Sequence, residues 1–188
     1  MVLSRRQGIF SMESDRELIE LANKGDSEAF ERLYYRYRDW VYKLAWRFTG
    51  NRADALDVLQ ETFTYLLGKF PGFELTSSMT TFLYPAVRHV SIRIKSKQNR
   101  TKTDEDILDE QEAATSRETD LSRSELAAAL AILPEEQREA LLMRFVDDMS
   151  LQEIAAALDI PLGTVKSRLH NSLRTLRSDR RTRNYFLE

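Results

Sequence analysis

The sequence predicts an all-α protein: two small helical domains joined by a flexible linker, the C-terminal one containing a helix-turn-helix. Three observations predict it. Apolar residues recur at steps of three and four along most of the chain, the period of an amphipathic helix. Only six glycines and four prolines interrupt 188 residues, and 31% of them are charged, a mix that favours a soluble, mostly helical chain. One stretch, residues 99–122, has almost no apolar periodicity, with Ile107 and Leu108 standing nearly alone, so it reads as a linker that stays disordered when free. The expected division is an arm at 1–14, a first domain at 15–98, the linker at 99–122, a second domain at 123–180 and a tail at 181–188.

The arm carries Arg5 and Arg6 but no apolar core of the kind a signal peptide has. It reads either as a short disordered arm or as an extension upstream of a start at Met12. Residues 15–24 carry Leu18, Ile19, Leu21 and Ala22, a short amphipathic helix ending near Gly25. Asp26 or Ser27 can cap the next helix, with Glu28 and Glu31 in its first turn. Its stripe is Phe30, Leu33, Tyr34, Tyr37, Val41, Leu44, Ala45 and Phe48, and Gly50-Asn51 ends it. Residues 53–68 repeat the pattern with Leu56, Leu59, Phe63, Leu66 and Leu67, stopped by Gly68 and the Lys69-Phe70-Pro71-Gly72 stretch.

Residues 71–80 read as a loop holding Phe73, Leu75 and Met79. The next helix is expected to start near Thr80 or Thr81. Pro85 is tolerated only in a first turn or at a kink, so that helix either begins late or bends there. Val87, Val90 and Ile94 give its apolar face, and cations take the other face.

The second domain opens with Leu126, Leu130 and Leu133. Pro134-Glu135-Glu136 then starts a helix continued by Leu141, Leu142 and Phe145. Asp147-Asp148-Met149 breaks it. Ser150 and Glu153 form a capping box for a short helix over 151–158. A turn at 159–163 leads into a basic helix from about Thr164 to Arg177.

Composition excludes several classes. There is no cysteine, so disulfides and thiolate zinc sites are out. The two histidines, His89 and His170, are too far apart in sequence for a local metal motif. No apolar run approaches a membrane span. A nucleic-acid enzyme would need clustered carboxylates for metal or a placed nucleophile. The acids of the linker assemble no such site, so no catalytic residue, metal or cofactor is expected.

The net charge of −2 hides segregation. Residues 86–103 hold six Lys/Arg and no acid, and residues 104–120 hold eight acids and one base. Residues 164–183 hold seven bases and one acid. Two basic blocks separated by an acidic one suggest two anion-binding surfaces and a tether that is not one.

Residues 150–173 carry the most specific signal. Ile154, Ala155 and Leu158 supply the inner face of the first helix, Ile160 plugs the turn, and Val165, Leu169 and Leu173 form the inner stripe of the second. What remains faces outward and is polar: Thr164, Lys166, Ser167, Arg168, His170, Asn171 and Arg174. Groove-reading helices contact bases with their N-terminal residues. Lys166, Ser167 and His170 are therefore the base-edge candidates, and Arg168 and Arg174 the phosphate candidates.

The stretch LPEEQREALLMRFVDDMSLQEIAAALDIPLGTVKSRLHNSLRTLR resembles the C-terminal, −35-element-binding domain (region 4) of extracytoplasmic-function (ECF) RNA polymerase sigma factors, group 4 of the sigma-70 family. Asn171 and Ser172 depart from the base and the alanine common there. Ala55-Leu56-Asp57-Val58-Leu59-Gln60-Glu61-Thr62-Phe63 resembles the part of region 2 that grips the β′ clamp helices. The resemblance implies that Asp57, Gln60 and Glu61 are the polar contacts to core RNA polymerase, and these three share one helical face. The loop at 71–80 and the helix after it are similar to the family's −10 module. The residues implied there are Phe73, Arg88, His89, Arg93, Lys95 and Lys97: a positive track with an aromatic surface for an unpaired base. Phe82 and Tyr84 are further aromatic candidates, Phe82 reading better as core, and His89 reads equally well as a plain surface histidine.

The resemblance further implies the β flap and promoter DNA as partners, and no small-molecule substrate. It also implies an anti-sigma partner, and a bacterial, cytoplasmic location that the anti-sigma factor ties to the inner membrane. A flexible linker of roughly 24 residues spans on the order of 25–30 Å, enough for two weak DNA sites to act together once polymerase spaces them. The rival reading is a helix-turn-helix regulator that binds operator DNA alone as a dimer.

Overall fold

The computed structural model describes residues 13–101, 128–179 and 182. The chain divides into two compact units, Met1–Gln111 and Glu112–Glu188, and every regular element among the described residues is helical. The first unit holds α1 (Asp15–Asn23), α2 (Ser27–Thr49), α3 (Arg52–Leu67) and α4 (Met79–Thr101). The second holds α5 (Glu135–Phe145), α6 (Leu151–Leu158) and α7 (Leu162–Ser178). The acidic stretch from Asp104 to Asp120 lies outside the described residues.

In the first unit α2 packs against each of the other three helices, and α3 packs on α4. Local chemistry sets the boundaries. Ser14 and Glu17 form a full capping box on α1, satisfying two backbone donors that helix geometry leaves orphaned. Two residues expected in the arm therefore belong to the fold: Ser14 as cap, and Glu13, whose carboxylate meets Arg32 at 2.5 Å. Asp15 pairs with Arg36 at 2.5 Å and also accepts the Tyr37 hydroxyl. Burial and that carboxylate push the Tyr37 phenol well above its ordinary pKa. Asp26 caps α2 by accepting from Glu28 and Ala29. Gly50 closes α2 in the left-handed region, φ 80°, a conformation a side chain would strain.

Two expectations for α4 are corrected. The cap is Ser78, whose hydroxyl accepts from the Thr81 amide at 3.3 Å, so the helix starts at Met79, before either threonine. It does not begin late: of the two alternatives offered for Pro85, a late start is ruled out, since the helix contains Pro85 and runs on to Thr101. Pro85 falls in the second turn, and the missing N–H removes a single bond, to the Thr81 carbonyl.

The stripe expected for α3 holds in part. Phe63 and Leu66 are buried as expected, but Leu56 and Leu67 are 45% and 53% exposed, and Asp54, Ala55, Val58 and Thr62 complete the inner face instead.

The loop between α3 and α4 is anchored by one side chain at the end of α1. Asn23 accepts from the Gly72 and Phe73 amides at 2.7 and 3.0 Å and donates to the Phe73 carbonyl at 2.9 Å. Replacing Asn23 by alanine removes all three bonds and strands part-buried backbone groups. A stability loss of about 2 kcal/mol is expected in urea unfolding followed by fluorescence.

In the second unit α7 packs on both α5 and α6. Leu130, Leu133, Leu141 and Leu176 form a core with Ile132, Leu142, Leu169 and Leu173 against it. Phe145, expected to continue the inner stripe of α5, is exposed beside exposed Val146, and Met143 and Met149 fill the interior instead. The Thr182 hydroxyl donates to the Leu176 carbonyl, which fixes one residue of the expected tail.

Candidate nucleic-acid interface

The helix-turn-helix forms at the expected residues. Ser150 and Glu153 make the capping box, with the Ser150 amide 2.8 Å from the Glu153 carboxylate. Asp159 ends α6 in the left-handed region, φ 53°, and the Ile160 amide donates back to the Ala155 carbonyl at 3.0 Å. α7 begins at once, at Leu162. The small residue buried in α6 is Ala157, next to Ile154; Ala155 and Leu158 are only partly covered.

Along α7 the buried positions are Val165, Ser172 and Leu176, with Leu169 and Leu173 at the edge of the core. Helix geometry explains the difference from the expected stripe. Each step of four residues drifts about 40°, whereas seven residues return to within about 20° of the starting line. Ser172 therefore sits deeper than Leu169. Its hydroxyl donates to the Arg168 carbonyl at 2.7 Å and lies 3.1 Å from the Gln137 carbonyl on α5.

Of the residues expected to face DNA, Lys166, Ser167, His170 and Arg174 are exposed, while Thr164 and Asn171 are half-covered. Ser167 donates to the Thr164 carbonyl at 2.9 Å. Arg168 differs: its guanidinium is 2.6 Å from the Glu136 carboxylate of α5, and its side chain is only 19% exposed.

In the first unit Asp57, Gln60 and Glu61 are all exposed on α3. Leu56 and Leu67, about three whole turns apart, lie close to the line of Gln60. The outer face of α3 thus has apolar residues along one edge and acids along the other, an arrangement that suits docking to a partner helix. Sequence spacing alone does not set these two leucines apart, because both lie within about 40° of buried Phe63 around the helix.

On α4, His89, Arg93, Lys95 and Lys97 are exposed and Arg88 is half-buried. Arg93 pairs with Glu61, so one polymerase-contact candidate and one DNA-contact candidate meet across α3 and α4.

The aromatic expectations change. Phe73 is 7% exposed, wedged between Phe70 and Phe82 with ring centroids at 5.5 and 4.7 Å. In this conformation it presents no free face to a base. Tyr84 is fully buried, and Phe82 is half-buried. The accessible ring on this side is Tyr65, stacked on Phe82 at 6.0 Å with the Lys69 ammonium 4.6 Å from its centroid. Sequence reading passed over Tyr65 because it sits inside α3 rather than in the loop.

Among the described residues no group of His, Asp and Glu gathers to hold a metal, and no helix is long and apolar enough to cross a membrane.

Comparison with known proteins places this architecture. Residues 33–101 match the family "Sigma-70 region 2", and residues 123–176 match "Sigma-70, region 4". The chain is 30% identical over 170 residues to the ECF RNA polymerase sigma-E factor of Haemophilus influenzae, covering 83% of this chain and 89% of that one. It is 32% identical over 171 residues to the sigma-E factor of Escherichia coli, covering 83% and 88%. It is 29% identical over 180 residues to the sigma factor SigW of Bacillus subtilis, covering 87% and 95%. Among solved structures, CnrH in complex with the cytosolic domain of CnrY shares the fold with TM-score 0.65, at 21% identity and coverage of 86% and 94%. With two sigma-70 regions in order along one short chain and relatives that match over nearly their full length, the chain belongs to the extracytoplasmic-function RNA polymerase sigma factors of the sigma-70 family.

Proposed function

We propose that the chain binds core RNA polymerase and directs it to promoters, using the first unit for the clamp helices and the −10 element and the second for the −35 element. The observation that carries this reading is the conjunction of two exposed surfaces on separate units. One is the acidic and apolar outer face of α3; the other is the cationic outer face of α7, held on a helix-turn-helix. The sigma factor relatives support a role as a non-enzymatic initiation factor.

Residues 15–98 form the polymerase and −10 unit in this reading, and residues 123–180 the −35 unit. Asp57, Gln60 and Glu61, with Leu56 at their edge, contact the clamp helices. His89, Arg93, Lys95 and Lys97 track the displaced strand with Arg88 beside them, and Phe73 supports the loop from within. Thr164, Lys166, Ser167, His170 and Asn171 face the major groove of the −35 element, and Arg168 and Arg174 its phosphates. Exposed Phe145 and Val146 offer the second unit an apolar docking point for the β flap. An anti-sigma factor that covers the α3 or α7 face would hold the chain inactive in the cytoplasm.

The test is transcription in vitro with core polymerase on a promoter library. Transcripts starting at defined positions only when the chain is present support the reading. Unchanged start sites with and without the chain contradict it.

A further inference from the structure

We propose that Glu136 is a specificity-determining counter-ion: a DNA phosphate must displace it from Arg168, and this suppresses binding of α7 to non-promoter DNA. The proposal rests on the assignment of α7 to DNA, and Glu136 lies on α5, outside the residues offered for that contact. The Arg168 guanidinium is 2.6 Å from the Glu136 carboxylate, and the two side chains are unequally covered, 19% exposed for Arg168 and 71% for Glu136. The arginine is the more covered of the two. The long, solvent-facing glutamate is the partner free to swing away.

A second link joins the two helices beside the pair. The Ser172 hydroxyl lies 3.1 Å from the carbonyl of Gln137, the residue after Glu136, and 2.7 Å from the carbonyl of Arg168 itself. This link between the first turn of α5 and the middle of α7 does not involve the ion pair itself. A phosphate approaching this point meets a neutral pair in place of a cation, whereas exposed Arg174 meets it as a full charge.

Non-specific DNA binding is almost entirely phosphate attraction. Cancelling one cation therefore weakens it most. At a promoter, base contacts and the polymerase supply the rest, and opening the pair is offset there. The carboxylate selects against DNA that offers nothing but phosphate, a use of repulsion to sharpen discrimination.

The experiment titrates the full-length chain against a labelled random-sequence duplex over a series of salt concentrations. Glu136→Gln and Glu136→Ala are each expected to steepen the slope of log affinity against log salt by about 0.9, one more phosphate neutralised, and to raise affinity about tenfold near 50 mM salt. Arg174→Ala, which removes the exposed phosphate candidate of the same helix, is measured alongside and is expected to flatten the slope by about the same amount. If Arg174→Ala leaves the slope unchanged, α7 is not the DNA face, and the reading beneath the proposal falls with it. If Arg174→Ala flattens the slope while both Glu136 variants leave it unchanged, the counter-ion proposal alone is overturned. A fall in affinity in both Glu136 variants overturns it too, because Glu136 would then position Arg168 for contact rather than compete for it.

Discussion

Replacing Ile154 by alanine is expected to destabilise the C-terminal unit by about 3–4 kcal/mol, the usual range for emptying a fully buried isoleucine site. Ile154 is completely buried at the centre of α6, and α6 and α5 are the two supports on which α7 rests. A domain of this size has only about 5 kcal/mol or so to lose. The chain carries its own reporter for locating the damage. Both tryptophans, Trp40 and Trp46, lie on α2 in the first unit. In urea, part of the helical dichroism of the variant is expected to disappear early, with the tryptophan fluorescence midpoint unchanged. An equal shift of both signals would show that the two units unfold as one, and the division into independent modules would be wrong.

The second large effect belongs to α3. The combined change of Asp57, Gln60 and Glu61 to alanine is expected to lower core polymerase binding at least a hundredfold, about 3 kcal/mol, while moving stability by less than about 1 kcal/mol. All three side chains are exposed and the buried face of α3 is left intact, so folding has little to lose. Leu56→Ser is expected to weaken binding by about tenfold through loss of apolar contact at the edge of the same face. Titration of labelled core enzyme measures both. A triple variant that binds normally would mean that polymerase is gripped elsewhere.

How much of this was legible in sequence depended on how far each signal was local. The Ser150–Glu153 box and the apolar spacing of α2 were readable because caps and amphipathic periods are written within a few residues. The inner face of α3 was readable only at Phe63 and Leu66. Ala55 and Thr62 are poor markers of burial, while Leu56 and Leu67 are strong apolar residues that the fold leaves outside. The start of α4 was missed because Ser78 sits among equally plausible caps, and Pro85 argued for a later start than the rest of the helix allowed. For the candidate site, the residue types on α7 were legible, but their state was not. The ion pair of Arg168 joins residues on two helices, and so does that of Arg93 with Glu61. Phe73 looked like a stacking surface because loop aromatics often are. Its burial depends on Asn23 and on two other rings, a tertiary arrangement with no local signature.

The most direct measurement is the ratio of affinities for promoter and scrambled duplex, taken for the chain with and without core polymerase at one salt concentration. Weak and nearly equal binding by the chain alone, with a large preference for the promoter once core is added, is the predicted result. A strong preference shown by the chain alone, bound as a dimer and unaltered by core polymerase, would contradict it.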